Sequence, residues 1–240
     1  MATKDICNTL VLSLKGICER YGIQDKPVSV KREAGADAPI PQYGAEEKLL
    51  ARFEGASGEC YTSYPGEFTG TVGEVAQLDI ENDPVGRSVF IAALNAVMNK
   101  YEMADECVHC DEGSEAQCAQ RILQQYIKNN GKVQFLLAGY QPQIAEAIAT
   151  HFPLRILDLD PEHIGKTVHG VTIEDGQAAY ADATRWAEVI LVSGSCIANG
   201  TFFDYVRIPK DVKYYGTSIA GAARALELSR VCPFGRNDYS

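Results

Sequence analysis

The feature that most constrains this chain is the alternation of short apolar runs with helical stretches through its second half. Lys132–Tyr140 (KVQFLLAGY) is an apolar run ending in a glycine-containing turn, which suits a buried strand. Gln141 and Pro142 then open a helical stretch, with proline in the first turn where its missing N–H costs little. Leu154–Asp160 predicts a second strand, Gly176–Ala187 a helix and Glu188–Ser193 a third strand. Asn199–Val206 reads as helical, Asp211–Tyr215 as a fourth strand and Ala220–Ser229 as a last helix. Strands separated by helices of this length form crossover units. The expectation is an α/β fold with a mostly parallel sheet covered by helices on both faces.

The first half lacks this rhythm. Asp5–Tyr21 places Ile6, Leu10, Leu14 and Ile17 at helical spacing and stops at Gly22, a common C-terminal cap residue. Val28–Arg32 alternates like a strand, and Glu59–Gly70 mixes β-formers with turn residues. Pro84–Tyr101 is a strong helix with proline at its start. Helix, short strands and helix make a small α+β unit. At about 150 residues per domain, 240 residues make one large domain or two small ones. The change of pattern near residues 101–113 divides the chain into 1–105 and 106–240.

Composition narrows the function classes. The 22 basic residues face 32 acidic ones, for a net charge of −10. Nucleic acid and anionic membranes both call for basic patches, so neither is an expected partner. No apolar run reaches the roughly 18–20 residues that cross a bilayer. The opening MATKDICNTL has no basic segment ahead of an apolar one, so the expected location is the cytoplasm. A homo-oligomer is compatible with all of this. Eight cysteines in a reducing compartment are thiols, core residues or metal ligands rather than disulfides.

Only Cys107, Cys110 and Cys118 cluster, in a stretch with no basic residue between Lys100 and Arg121. Cys107-Val-His-Cys110 is a C-x-x-C turn that brings two sulfurs within reach of one metal, and His109 adds a nitrogen donor. Ser114-Glu-Ala-Gln117 has the capping-box pattern, predicting a helix from Ser114 to about Asn129 with Cys118 in its first turn. A fourth ligand has to come from elsewhere, with Cys232, Cys60, His109 or a carboxylate as candidates. The surrounding acids raise a thiol's pKa, which opposes a nucleophilic role, whereas a divalent cation welcomes them. Zinc or another thiophilic divalent ion therefore fits better than an iron–sulfur cluster, which carries negative charge of its own. The plainer alternative is a solvated acidic face, with Cys118 aligned with Ile122 and Tyr126 as a core residue. Cys7 and Cys18 share one face of the first helix and read as core.

Ligands of open parallel sheets bind outside the carboxyl ends of the strands. Here those ends carry Gly139-Tyr140, Asp158-Leu-Asp160, Ser193-Gly194-Ser195 and Gly216-Thr217. The Ser193 loop continues to Asn199-Gly200-Thr201, where Asn199 or Thr201 is placed to cap a helix whose free N–H groups favour an anion. Tight turns alone would use the same residues. Neither nucleotide-binding glycine fingerprint is present, nor a G-x-S-x-G elbow or an H-E-x-x-H pair. His151, His163 and His169 have no partner visible in sequence, the last two within a long loop over Pro161–Asp175.

Leu137-Ala-Gly-Tyr140, Leu157-Asp-Leu-Asp160, Val189-Ile-Leu-Val-Ser-Gly-Ser195 with Asn199-Gly-Thr201, Tyr215-Gly-Thr-Ser-Ile-Ala-Gly221 and Arg230-Val-Cys-Pro233 together resemble the heavy-metal-chelation family. That is a largely uncharacterised bacterial and archaeal group with a Rossmann-like domain. A small domain similar to the enolase N-terminal domain often precedes it, and Val85–Asn99 is similar to the helix closing that domain. The resemblance implies a Rossmann-like domain behind an enolase N-terminal-like one. It implies metal handling, a pocket at Ser193–Thr201 and Gly216–Gly221, and a recurrent cysteine at Cys232. Cys107, Cys110 and Cys118 match no general motif of the group. The leading expectation is a metal or metal-containing cofactor held by Cys107, Cys110, Cys118 and Cys232. A small anionic ligand is expected at Gly139, Tyr140, Asp160, Ser193, Gly194, Ser195, Asn199, Gly200, Thr201, Gly216 and Thr217. The rivals are an enzyme acting on a small anionic metabolite or nucleotide, with structural cysteines, and an interaction module with no ligand.

Overall fold

The computed structural model describes residues 2–111, 113–127 and 132–238. The chain opens with α1 (Thr3–Tyr21), whose Ile6, Leu10, Leu14 and Ile17 are buried together with Cys7 and Cys18. It stops at Gly22 in the left-handed conformation, φ 64°. Then come β1 (Pro27–Arg32), β2 (Glu47–Phe53), β3 (Ala56–Thr62), β4 (Phe68–Thr71), α2 (Val72–Val75) and α3 (Pro84–Lys100). The four strands form an antiparallel sheet in the order β3-β2-β1-β4. β2 lies where the sequence reading placed no element. Its signal is period two: Leu49, Ala51 and Phe53 turn inward, with Lys48, Leu50 and Arg52 between them. Glu54 and Gly55, both at positive φ, make the two-residue turn into β3.

The second half runs α4 (Glu115–Leu123), β5 (Phe135–Ala138), α5 (Pro142–Ala149), β6 (Leu154–Asp158), β7 (Thr167–Val168) and β8 (Val171–Asp175). It continues with α6 (Tyr180–Trp186), β9 (Val189–Ser193), α7 (Cys196–Asn199), α8 (Phe202–Tyr205), β10 (Asp211–Tyr215), α9 (Ala220–Ala225) and β11 (Arg230–Val231). The seven strands lie in the order β11-β10-β9-β5-β6-β8-β7, parallel except for the β7–β8 pair. The α/β expectation holds, and so does its reason. Phe135, Leu137, Ile156, Val189 and Leu191 pack with α4 and α5, while Leu136, Ala138, Leu157, Ile190 and Val192 join the core on the opposite face. A sheet covered on both faces makes every strand position apolar.

Three local expectations give way. The Pro161–Asp175 loop contains a hairpin that extends the sheet. The helix expected over Asn199–Val206 is two short helices separated at Gly200, φ 91°. Ser114 makes no side-chain cap; instead the Glu115 carboxylate accepts from Gly113 N at 2.9 Å. The helix ends at Leu123, and Asn129 lies outside the described residues.

α3 packs against β2 and β3 on one side and α7 and α9 on the other. Every residue from Gly86 to Asn99 is buried. One apolar core runs from α1 through α3 to the Tyr214 side of the large sheet without a break at residue 105.

Candidate functional site

The chain leaves β5 for β6 and β8 on one side of the large sheet, then returns to place β9, β10 and β11 on the other. Strand order therefore reverses between β5 and β9, and a crevice opens outside the carboxyl ends at such a point. Two cavities lie there. A first lobe of about 320 Å³ is lined by Gly139, Asp158, Asn199, Thr201, Asp204 and Tyr205 among others. A second of about 230 Å³ is lined by His109, Cys110, Glu115, Cys118, Tyr140, Gly216, Thr217 and Cys232 among others. Glu46, Ser193 and Ser195 line both.

The divide between the lobes is built by close backbone approach. Gly139 is left-handed, φ 89°, and a Cβ there would stand 2.7 Å from Ser193 Cβ. The Tyr215 hydroxyl donates to the Gly139 carbonyl at 2.8 Å, and Gly194 N donates to Tyr215 O at 2.7 Å. Ser193 Oγ and Ser195 Oγ are 2.8 Å apart. Asp158, at the end of β6, accepts from the backbone N–H of Tyr140 (2.8 Å), Leu159 (2.6 Å) and Asp160 (2.9 Å), and His163 Nδ1 lies 3.2 Å away. His163 thus has a partner that its sequence neighbourhood did not disclose.

Glu46 arrives from the opposite half of the chain. It sits at the end of a strap over residues 33–46 that crosses the β6 end. The Arg32 guanidinium holds the strap through the carbonyls of Ala36 (3.1 Å), Ala38 (2.8 Å) and Pro39 (3.1 Å) and pairs with Glu47 at 2.6 Å. Gly44, φ 96°, lies against the Leu159–Asp160 peptide so closely that a Cβ would overlap it. Glu46 is exposed and faces the cleft, and its carboxyl pKa is shifted upward. Partial desolvation inside the cleft is the first cause; the Asp158 and Asp160 charges add to it, and the nearby Ser195 hydroxyl opposes it. Nothing in Ala45-Glu-Glu-Lys48 marks this residue in sequence. Only the strap's path does.

The thiol lobe is assembled from three separate segments: the loop after α3, the first turn of α4, and the C-terminal tail. The tail is fastened by Val108 and Arg236, which exchange two backbone bonds of 2.8 Å. Arg230 reinforces it with donations to Gly216 O (2.9 Å), Asp105 O (3.0 Å) and Glu106 O (2.7 Å). Cys110, Cys118 and Cys232 consequently share one cavity. Cys107 does not join them. It is fully buried in the shared core, its thiol directed to the carbonyls of Ala104 (3.6 Å) and Asp105 (3.8 Å). Burial raises the pKa of all these thiols, Cys118 to about 12 with help from the neighbouring Cys232 and Cys110. Among the described residues no three of His, Cys, Asp and Glu are arranged as a ready metal-binding group.

α3 backs both lobes. Asn95 Nδ2 donates to Glu59 O (2.8 Å), Thr217 O (3.3 Å) and Ser218 O (2.9 Å), and its Oδ1 accepts from Gly221 N at 2.7 Å. Arg87 Nε donates to Ala198 O at 3.0 Å, holding the Ser193–Thr201 loop. Buried Glu59 accepts from His109 N at 2.7 Å and faces the Thr217 hydroxyl at 3.4 Å.

Of the expected ligand-binding residues, Gly139, Asn199 and Thr201 face the first lobe, and Tyr140, Gly194, Gly216 and Thr217 the second. Ser193 and Ser195 face both. Asp160 and Gly200 line neither lobe: Asp160 accepts from Glu162 N at 2.8 Å and lies 3.5 Å from Gln42, and Gly200 sits over Arg87. Glu46, Asp158 and Asp204 line the first lobe, Glu46 and Glu115 the second, and among the described residues no lysine or arginine lines either. Asn199 Oδ1 is spent on Thr201 N (3.0 Å) and Oγ1 (2.8 Å), and α8 receives no side-chain cap.

A doubly covered, mostly parallel sheet with its cleft at the switch point defines an α/β protein of Rossmann-like architecture. No family model and no curated protein matches the chain. Solved structures do. A DUF364-family protein of unknown function from Pyrococcus horikoshii aligns with a TM-score of 0.52 at 14% identity, covering 89% of this chain and 79% of that one. Another DUF364-family protein of unknown function, from Desulfitobacterium hafniense, aligns with a TM-score of 0.53 at 12% identity, covering 89% and 84%. At these identities the likeness is one of fold. No helix among the described residues is long and apolar enough to cross a membrane.

Proposed function

We propose that the protein binds a thiophilic metal ion, zinc foremost, or a metal-containing cofactor in the thiol lobe of its cleft. Cys110, Cys118 and Cys232 are the donors, with His109 or Glu115 beside them. The observation that carries this reading is that Cys110 and Cys118, neighbours in sequence, and Cys232 from the C-terminal tail line one cavity. As free thiols they are held protonated by burial, which suits neither a nucleophile nor an exposed redox centre. A bound divalent cation favours the thiolates, and the acid at Glu115 then becomes an asset. Protons compete with the metal for the same sulfurs, so affinity falls as pH falls.

The test is anaerobic purification without a metal-affinity tag, followed by elemental analysis and an absorption spectrum. Near-stoichiometric zinc is expected. Cys110→Ser, Cys118→Ser or Cys232→Ser should each weaken retention by at least about tenfold, the scale on which metal sites respond to disturbance. Cys107→Ser should leave the metal in place. Metal-free protein, or a metal content indifferent to the three pocket substitutions, overturns the assignment. Broad visible absorption would replace zinc with an iron–sulfur cluster.

A further inference from the structure

A C-x-x-C segment that curls presents both sulfurs to one ion. The one in this chain is held straight. Glu59, fully buried on the outer strand β3, grips it on both sides of Val108. The Glu59 N–H donates to Cys107 O at 3.0 Å, and the Glu59 carboxylate accepts from His109 N at 2.7 Å. Val108 turns its own N–H and C=O the other way, to Arg236 of the tail, at 2.8 Å each. Backbone groups that alternate from side to side mark an extended chain, and the segment lies between β3 and the tail like a short added strand.

On an extended chain, residues three apart point to opposite faces. Cys107 accordingly enters the shared core, while Cys110 lines the thiol lobe with Cys118 and Cys232. The Glu59 carbonyl accepts from Asn95 Nδ2 at 2.8 Å, so the side-chain carboxylate supplies the acceptor that His109 N needs. The same carboxylate lies 3.4 Å from the Thr217 hydroxyl, on the opposite wall of the lobe, and 3.6 Å from Lys48 Nζ.

We propose that Glu59 is the positioning residue of the thiol site: it holds Cys107-Val-His-Cys110 extended, so that of the pair only Cys110 reaches the cleft. This rests on the reading of the thiol lobe as a metal site. Glu59 touches no ion and acts through the His109 N–H, by a charge-assisted bond of the stronger kind. With that acceptor gone the segment can curl, and Cys107 competes with Cys110 for the ion. The extended segment thus keeps the site to three cysteine donors, where a fourth would close it, and leaves the last position to a nitrogen or oxygen donor.

The test labels the full chain, reduced and freed of metal by a chelator, with iodoacetamide and maps the modified cysteines by mass spectrometry. In the wild type Cys110 should react in the folded protein and Cys107 only on unfolding. Glu59→Met fills similar space without an acceptor and should raise the Cys107-to-Cys110 labelling ratio at least about fivefold, the factor that an orphaned buried N–H is worth. Glu59→Gln keeps an acceptor oxygen and should label like the wild type. Cys7 and Cys18, buried in α1, should stay protected throughout, which separates local release from general loosening. Glu59→Ala serves if the methionine variant does not fold; if neither folds while Glu59→Gln does, Glu59 is a folding residue and the proposal falls. It falls equally if the ratio is unmoved, if Glu59→Gln behaves like Glu59→Met, or if Cys7 and Cys18 become reactive along with Cys107.

Cobalt(II) titration gives the second readout. Glu59→Met should bind the ion about 10–100-fold more weakly than the wild type, as loss of an outer partner does at metal sites. Unchanged affinity overturns the proposal. The labelling is read without metal, so a wild type that binds no cobalt defeats the metal reading by itself, and an unmoved labelling ratio defeats the role of Glu59 by itself.

Discussion

The two lobes of the cleft share a wall but are built by opposite means. The first is made of strand ends and a glycine-tight strap, and its polar groups are bonded to one another. The second is made of a loop, a helix start and a tail, and its thiols face a common space without converging. Preorganised hydrogen bonds cost little to maintain once the backbone is in place. Soft ligands held on separate segments become a site only when something draws them together.

The comparison can be broken most forcefully at Gly44. Gly44→Ala puts a Cβ into the Leu159–Asp160 peptide at a left-handed position. A loss of about 3 kcal/mol in urea unfolding is expected, the range of strained-backbone and overpacking changes. Glu46 should leave the first lobe while metal content in the second is retained. If both lobes fail together, they are one site.

A smaller effect tests the charge of the first lobe. The folded-state pKa of Glu46 is raised from 4.5 to about 7, so the native chain binds the proton more tightly than the unfolded chain. That contribution is fully present below pH 4.5 and is lost as pH rises through about 7. Because the carboxyl is wetted by the cleft, it is worth on the order of 1 kcal/mol after screening. Glu46→Gln should flatten the slope of stability against pH in that window.

The smallest effect lies beneath the cleft. The Tyr214 hydroxyl is buried beside Phe202 and has no hydrogen-bond partner among the described residues. Tyr214→Phe removes an unmet donor and should raise stability by about 0.5 kcal/mol in the same unfolding assay. Loss of stability instead would mean that this hydroxyl is hydrogen-bonded in solution.

The parallel strands were legible because burial on both faces makes them continuous apolar runs; Asp211–Tyr215 fits its observed limits residue for residue. Cys232 was legible as a companion of Cys110 and Cys118, and the three do share a cavity. Cys107 misled because C-x-x-C spacing says that two sulfurs can meet, not which way each turns. Here Cys107 turns into the core and Cys110 into the cleft. Glu46 was illegible. Its place in the cleft depends on Arg32 holding three carbonyls of the strap and on Gly44 allowing it to lie flat, contacts that no local pattern encodes. The hairpin hidden in Pro161–Asp175 was missed because its first strand has two residues.

The burial of α3 on every side has a cost in time. During synthesis the helix is complete well before Thr217 and Ser218, which lie 122 and 123 residues beyond Asn95. At about 5–20 residues per second, Asn95 and the flank meant for α7 and α9 stay uncovered for several seconds or more after they leave the ribosome. During that interval the nascent chain presents an apolar helix face with a polar amide at its centre. The amide discourages greasy partners until the late-made turn arrives to claim it.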